Sequence, residues 1–167
     1  MREVDKRVAI VTVSDSAYDG AREDLAGPAL AEKLIEAGFA VIGHTVVPDE
    51  RSDIAQTLRD LAEVDAPLVV TTGGTGLGPR DVTPEATQDV VERTVPGIPE
   101  AMRRAGASQT PYAILSRGVC GVLGHTLIVN LPGNPDGAVD SLASVLPVLP
   151  HALDVLRSDR HTHEGEM

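Results

Sequence analysis

Cysteine is all but absent from this chain, and the single one, Cys120, leaves no intrachain disulfide and no thiolate metal cluster to consider. It falls in an apolar run, where a free cysteine reads as a small packed hydrophobe rather than a nucleophile. Aromatic residues are equally scarce: there is no tryptophan, and Tyr18, Phe39 and Tyr112 are the whole set. Small aliphatic side chains must therefore fill the core. Positive charge is also in short supply, with 14 Lys and Arg against 25 Asp and Glu and a formal net charge of -11. That balance excludes nucleic-acid binding through a broad basic surface, so an anionic ligand would need local cations and helix N-termini. His44, His125 and His151 are too scattered for a histidine metal site, and only His161 and His163 in the tail are close together. Behind the charged start, Met1 to Arg7, the apolar run is too short and too polar for a signal or a membrane span. A cytoplasmic protein with no membrane association is expected.

With 167 residues, the simplest expectation is one domain over residues 1–157 and a polar tail over 158–167. Val8 to Val13 is a β-branched run that reads as a buried strand and ends in Ser14-Asp15-Ser16. Pro28 to Glu36 has helical apolar spacing and is closed by Gly38. Phe39 to Val47 reads as a second strand, ending in Pro48-Asp49-Glu50, and a helix with Ile54, Leu58 and Leu61 inward follows from Ser52 or Asp53. Pro67 to Thr72 is a third strand. Helices are expected over Thr83 to Arg93 and Ile98 to Ala107, then a hairpin or broken strand over Tyr112 to Leu115 and Val119 to Leu123, turning at Arg117-Gly118. Thr126 to Leu131 is a further strand, ending in Pro132-Gly133-Asn134-Pro135. The last helix, Asp136 to Arg157, should kink or split at Pro147 and Pro150. Alternating strands and helices imply an α/β sandwich of three layers, α/β/α, with a mostly parallel central sheet. Sheets of this kind bind ligands beyond the carboxyl ends of their strands, where Ser14-Asp15, Asp49-Glu50, Gly73 to Asp81 and Pro132 to Asn134 all fall.

The densest of these segments is Thr-Thr-Gly-Gly-Thr-Gly-Leu-Gly-Pro-Arg-Asp-Val-Thr-Pro-Glu-Ala-Thr, from Thr71 to Thr87. Gly73, Gly74, Gly76 and Gly78 permit positive φ and let backbone N–H groups crowd round an anion. Thr83 suits an N-cap and Pro84 the first helical position, and the helix dipole favours anions there too. Neither the Gly-Lys-Ser/Thr ending of a P-loop nor the dinucleotide-binding spacing is present. A tight turn alone could be this rich in glycine. Arg80-Asp81 beside it points further, since Arg80 can grip a phosphate bidentately while Asp81 would repel one unless a divalent cation lay between.

The Gly-Gly-Thr-Gly loop followed by Arg80-Asp81-Val82-Thr83-Pro84-Glu85-Ala86, with Pro48-Asp49-Glu50 before and Leu131-Pro132-Gly133-Asn134-Pro135 after, resembles the MoaB/Mog family of molybdenum cofactor biosynthesis. The resemblance runs from about Val8 to Leu156. It implies a three-layer α/β/α fold, a homotrimer, molybdopterin and ATP as substrates, and a magnesium-dependent molybdopterin adenylyltransferase. It also implies Asp49 and Asp81 as the catalytic and Mg2+-holding carboxylates. Ser14, Asp15, Thr72, Gly73, Gly74, Thr75, Gly76, Arg80, Ser116, Pro132, Gly133 and Asn134 are then the substrate-binding residues, and a molybdenum-inserting protein is an expected contact. One departure is Leu25-Ala26-Gly27, where many members have a serine before the glycine. A molybdopterin-binding module without adenylyl transfer uses the same loops, and is the alternative reading.

Overall fold

The computed structural model describes residues 3–158, so the expected tail, with His161 and His163, lies outside the described residues from position 159 onward. Six strands form one sheet in the order β2-β1-β3-β6-β5-β4. They are β1 (Arg7–Val13), β2 (Ala40–Val47), β3 (Leu68–Thr72), β4 (Arg93–Thr94), β5 (Cys120–Leu123) and β6 (Thr126–Leu131). The first three and β6 run parallel, whereas β5 and β4 add on antiparallel at one edge.

Period-two alternation along each strand divides the core between the two faces. Val8, Ile10, Leu68, Val70, Leu127 and Val129 point one way, onto Leu30 and Leu34 of α2 (Ala26–Glu36), Ile98 and Met102 of α5 (Gly97–Ala107) and Leu142 of α6 (Pro135–Val145). Ala9, Val11, Val69 and Ile128 point the other way, onto Ile54 and Leu58 of α3 (Arg51–Glu63) and Ala86 and Val90 of α4 (Thr83–Val90). The expected three layers and mostly parallel sheet are thus present. Phe39 is the one buried aromatic side chain, and Tyr18 and Tyr112 are exposed, so aliphatic residues do form the core.

Several boundaries move for local reasons. The apolar C-terminal stretch splits at its prolines, into α6, a 3-10 turn over Leu146–Val148, and α7 (Leu149–Leu156). Helix α4 stops at Val90 because Glu92 and Val95 donate their N–H groups to Val122 and Cys120, tying the next residues to the sheet as β4. Pro111–Leu115 is a 3-10 turn rather than a strand, and the hairpin joins β5 to β6 through Gly124 at φ +60°. A short helix unforeseen from the sequence, α1 (Asp15–Tyr18), follows β1, capped by the Ser14 hydroxyl accepting from the Ala17 N–H. Cys120 is buried in β5, and burial pushes its thiol up to about 12, which makes it inert.

The parallel strands finish nearly flush. Val13 lies beside Val47, Thr12 beside Thr72, and Thr72 beside Leu131. All four polar turns therefore emerge along one edge, with β1 and β3 side by side at the point where the order reverses.

Candidate functional site

Two cavities open at that edge. One, of about 640 Å3, is lined by Ser14, Arg22, Asp24, Ala26, Asp49, Thr72, Gly73 and Asp81 among others. Its neighbour, of about 690 Å3, is more apolar, lined by Pro99, Met102 and Leu115 together with Thr75, Gly76, Ser116 and Pro132. Gly74, Asp81, Gly133 and Asn134 line both, and so mark the junction between them.

Two glycines of the loop after β3 have the expected left-handed backbone: Gly73 at φ +103° and Gly74 at φ +67°. A Cβ on Gly73 would collide with the Val13 carbonyl, and one on Gly133 would lie 3.3 Å from the Gly73 Cα. Gly73 thus lets the loop pass close to the end of β1, and Gly133 lets the turn after β6 pack closely on Gly73. Gly76 and Gly78 serve a different purpose from the one expected, since neither has positive φ. A Cβ there would fall 3.0 and 2.9 Å from Asp81 Oδ2, so these glycines make room for the carboxylate. The N–H groups of Gly73, Gly78, Asp81 and Thr83 bond within the protein. Those of Gly74, Thr75 and Gly76 have no acceptor among the described residues and remain for a ligand.

Asp49 and Asp81 are held alike. The Asp15 N–H donates to Asp49 Oδ2 at 2.8 Å, and the Gly78 N–H donates to Asp81 Oδ2 at 2.9 Å. Each carboxylate is thereby oriented through one oxygen, with Oδ1 left over. Burial raises the Asp49 pKa, and the charges of Asp15 and Asp81 raise it further. A carboxylate whose charge is destabilised in this way, beside a second carboxylate, suits a divalent cation. No cluster of three or more metal-binding side chains occurs among the described residues. Two carboxylates are a donor set of the kind that can hold Mg2+, which takes one or two carboxylates and fills its remaining positions with phosphate and water oxygens.

Other residues expected to bind substrate sit differently. Arg80 lines neither cavity: it donates to Asp15 at 3.0 and 3.1 Å and to Glu50 at 2.8 Å, so its fork is occupied by carboxylates. Asp15 likewise lines neither cavity and instead supports Asp49 and Arg80. The Thr72 hydroxyl donates to the Pro132 carbonyl at 2.7 Å, fastening the two turns together. Thr83 is not the N-cap of α4. That position is Val82, and the buried Thr83 hydroxyl donates to the Gly73 carbonyl at 2.9 Å. Asn134, besides lining the junction, caps α6 through a bond from the Gly137 N–H.

Three further residues do not stand out as functional in the sequence. Arg22 is the one cation lining the Asp49 cavity, and its guanidinium has no carboxylate partner among the described residues. Its loop is fixed by Asp24, which accepts from the Thr12 hydroxyl at 2.8 Å and pairs with His44 at 3.0 Å. Buried Asn130 donates to the Thr71 and Thr87 hydroxyls and accepts from the Val119 N–H, joining β3, α4 and the residue before β5 beneath the larger cavity. Arg117 bonds to the back of the glycine loop. Only long-range pairing reveals these roles, although a charged Arg117 between apolar runs was a usable signal.

The family described as the probable molybdopterin binding domain matches residues 9–151. Over 161 residues the chain is 39% identical to the molybdenum cofactor synthesis protein cinnamon of Drosophila melanogaster, covering 92% of this chain and 27% of that protein. The chain thus spans about a quarter of the length of that relative. It is 40% identical over 152 residues to the molybdopterin adenylyltransferase of Helicobacter pylori, covering 89% of this chain and 86% of the other. Among solved structures, the molybdopterin biosynthesis enzyme MoaB from Thermus thermophilus matches with a TM-score of 0.86 and 52% identity, over 90% of this chain and 95% of that one.

Proposed function

This chain belongs to the molybdopterin-binding domain family of molybdenum cofactor biosynthesis, and from that premise we propose that it is a molybdopterin adenylyltransferase. The reaction joins the AMP part of ATP to the terminal phosphate of molybdopterin. A phosphate oxygen attacks the α-phosphorus, the bond to the β-phosphate oxygen breaks, and pyrophosphate leaves. The observation that carries the reading is the pair Asp49 and Asp81, of which Asp81 lines both adjoining cavities and Asp49 the smaller one. Two substrates with large organic parts, meeting phosphate to phosphate, need such a paired space.

Several negative charges must approach one another in this reaction, so positioning and charge neutralisation carry the catalysis. Mg2+ held by Asp49 and Asp81 would neutralise phosphate charge at the junction. The free N–H groups of Gly74, Thr75 and Gly76 are donors for phosphate oxygens, and Arg22 supplies positive charge in the smaller cavity. Pro99, Met102 and Leu115 offer an apolar wall to a planar ring. No protein nucleophile is required. We place the protein in the cytoplasm, and contact with a molybdenum-inserting partner belongs to the same proposal. Its support is the additional sequence of the Drosophila relative beyond the matched stretch.

The test is pyrophosphate release from molybdopterin, ATP and Mg2+, with Asp81→Ala and a magnesium-free control. Turnover lost in both controls is the expected result. Molybdopterin binding without turnover by the native protein would overturn the enzyme in favour of a binding module.

A further inference from the structure

Arg117, which lines neither cavity, makes an unusually complete set of bonds to the glycine loop. Its N–H donates to the Thr75 carbonyl at 2.8 Å, Nε to the Gly76 carbonyl at 2.8 Å and Nη2 to the Asp81 carbonyl at 2.7 Å. The same guanidinium is held bidentately by Glu85, at 2.7 and 3.3 Å. We propose that Arg117, locked by Glu85, is the positioning residue of the site: it pulls the carbonyls of the glycine loop to its own side so that the loop N–H groups and Asp81 face the junction. This deepens the proposed adenylyl transfer and, in its kinetic part, rests on it.

The argument is one of peptide geometry. In a planar trans peptide the C=O and the following N–H point in opposite directions. The main-chain N–H of Arg117 fixes the Thr75 carbonyl and so aims the Gly76 N–H away from it, a bond independent of the side chain, and Gly76 lines the larger cavity. Fixing the Gly76 carbonyl does the same for the Leu77 N–H. Fixing the Asp81 carbonyl anchors the far end of the loop, beside the carboxylate that faces both cavities. Without the guanidinium, the Gly76 and Asp81 carbonyls could turn toward the junction and present negative dipoles where phosphates must sit. The planar fork explains the choice of arginine, because a lysine ammonium cannot bond two carbonyls and grip a carboxylate in one plane. Glu85, on the first turn of α4, sets the orientation of that fork. Neither residue lines a cavity, so both act through others.

Arg117→Ala, Arg117→Lys and Glu85→Gln would be compared with the native protein by hydrogen–deuterium exchange of the free protein and by steady-state kinetics. In Arg117→Ala, exchange should rise at least about tenfold over residues 73–82 and stay unchanged in β1 and α2. Its kcat should fall on the order of 100-fold, as for small misplacements of catalytic groups, with the KM for molybdopterin within about threefold of native. Arg117→Lys should recover less than about a tenth of the lost kcat, and Glu85→Gln should lie between native and Arg117→Ala. Unchanged loop exchange in Arg117→Ala would overturn the proposal, as would freed exchange with undiminished kcat. Freed exchange throughout the chain would assign Arg117 to general stability and overturn it too. Should the native protein show no turnover, the enzyme reading fails, and the exchange experiment alone decides whether Arg117 orders the loop.

Discussion

Asp15 and Asp49 hold one another reciprocally: the Asp15 N–H donates to Asp49 Oδ2 at 2.8 Å, and the Asp49 N–H donates to Asp15 Oδ1 at 2.9 Å. The turns after β1 and β2 are locked together, and the Asp49 carboxylate is fixed in a half-buried position that ionises reluctantly.

This arrangement sets function against stability at Asp49. Its pKa is raised in the folded protein, chiefly by burial, so its favourable contribution is present below the unfolded value and is lost as pH rises through the folded one. At neutral pH the ionised group is destabilising. Asp49→Asn should therefore raise Tm at pH 7, with the gain vanishing near pH 4, while kcat falls about 100 to 1,000-fold. Calorimetry at the two pH values, beside the pyrophosphate assay, checks both halves. A lower Tm at pH 7 would contradict the sign.

The two arginines near the loops should behave unlike each other. Arg80 is occupied by Asp15 and Glu50, and Arg22 is free to meet a phosphate. Arg22→Ala should raise the KM for ATP about tenfold, the worth of one charge-assisted hydrogen bond. Arg80→Ala should leave the KM for ATP within about threefold and act through the Asp15 and Asp49 turns. The reverse order would show that Arg80 leaves its carboxylates when substrate arrives.

Asn130 is satisfied at both ends of its amide. Asn130→Leu leaves the half-buried Val119 N–H without its acceptor and the buried Thr71 and Thr87 hydroxyls without their donor, at a cost of roughly 1 to 3 kcal/mol. Denaturant titration should show that loss with an unchanged slope, since the exposed area on unfolding stays the same.

Gly73→Ala forces a side chain into a left-handed backbone against the Val13 carbonyl. Gly78→Ala keeps an ordinary backbone but crowds Asp81 Oδ2. The first should unfold at lower temperature, with backbone strain of about 1 to 3 kcal/mol. The second should retain most of its Tm and lose activity through Asp81. Melting curves and turnover, measured together, separate the two.

The sheet was legible because β1, β3 and β6 are continuous apolar β-branched runs, and the site edge because each ends in polar or glycine residues. Asp49, Asp81 and the Pro132 to Asn134 turn could be placed together from that pattern alone. The occupation of Arg80 could not, because it depends on Glu50 lying within reach, a distance no local spacing encodes. Nor could the role of Thr83, whose N-cap chemistry is correct in type but is directed at the Gly73 carbonyl instead of its own helix. The stretch over 108–125 was the least legible, since its 3-10 turn is exposed and its strand short.

Strand β6 lies between β3 and β5 although it is the last strand in the chain. On a ribosome, β1, β2 and β3 would emerge with their glycine loop long before the strand that must flank it. The loop would then lack both its Pro132 to Asn134 neighbour and the Arg117 that holds its carbonyls. A nascent chain halted before residue 117 would thus display both aspartates without the groups that flank and hold the loop, so the ability to engage substrate arrives only once β6 and the turn after it have been made.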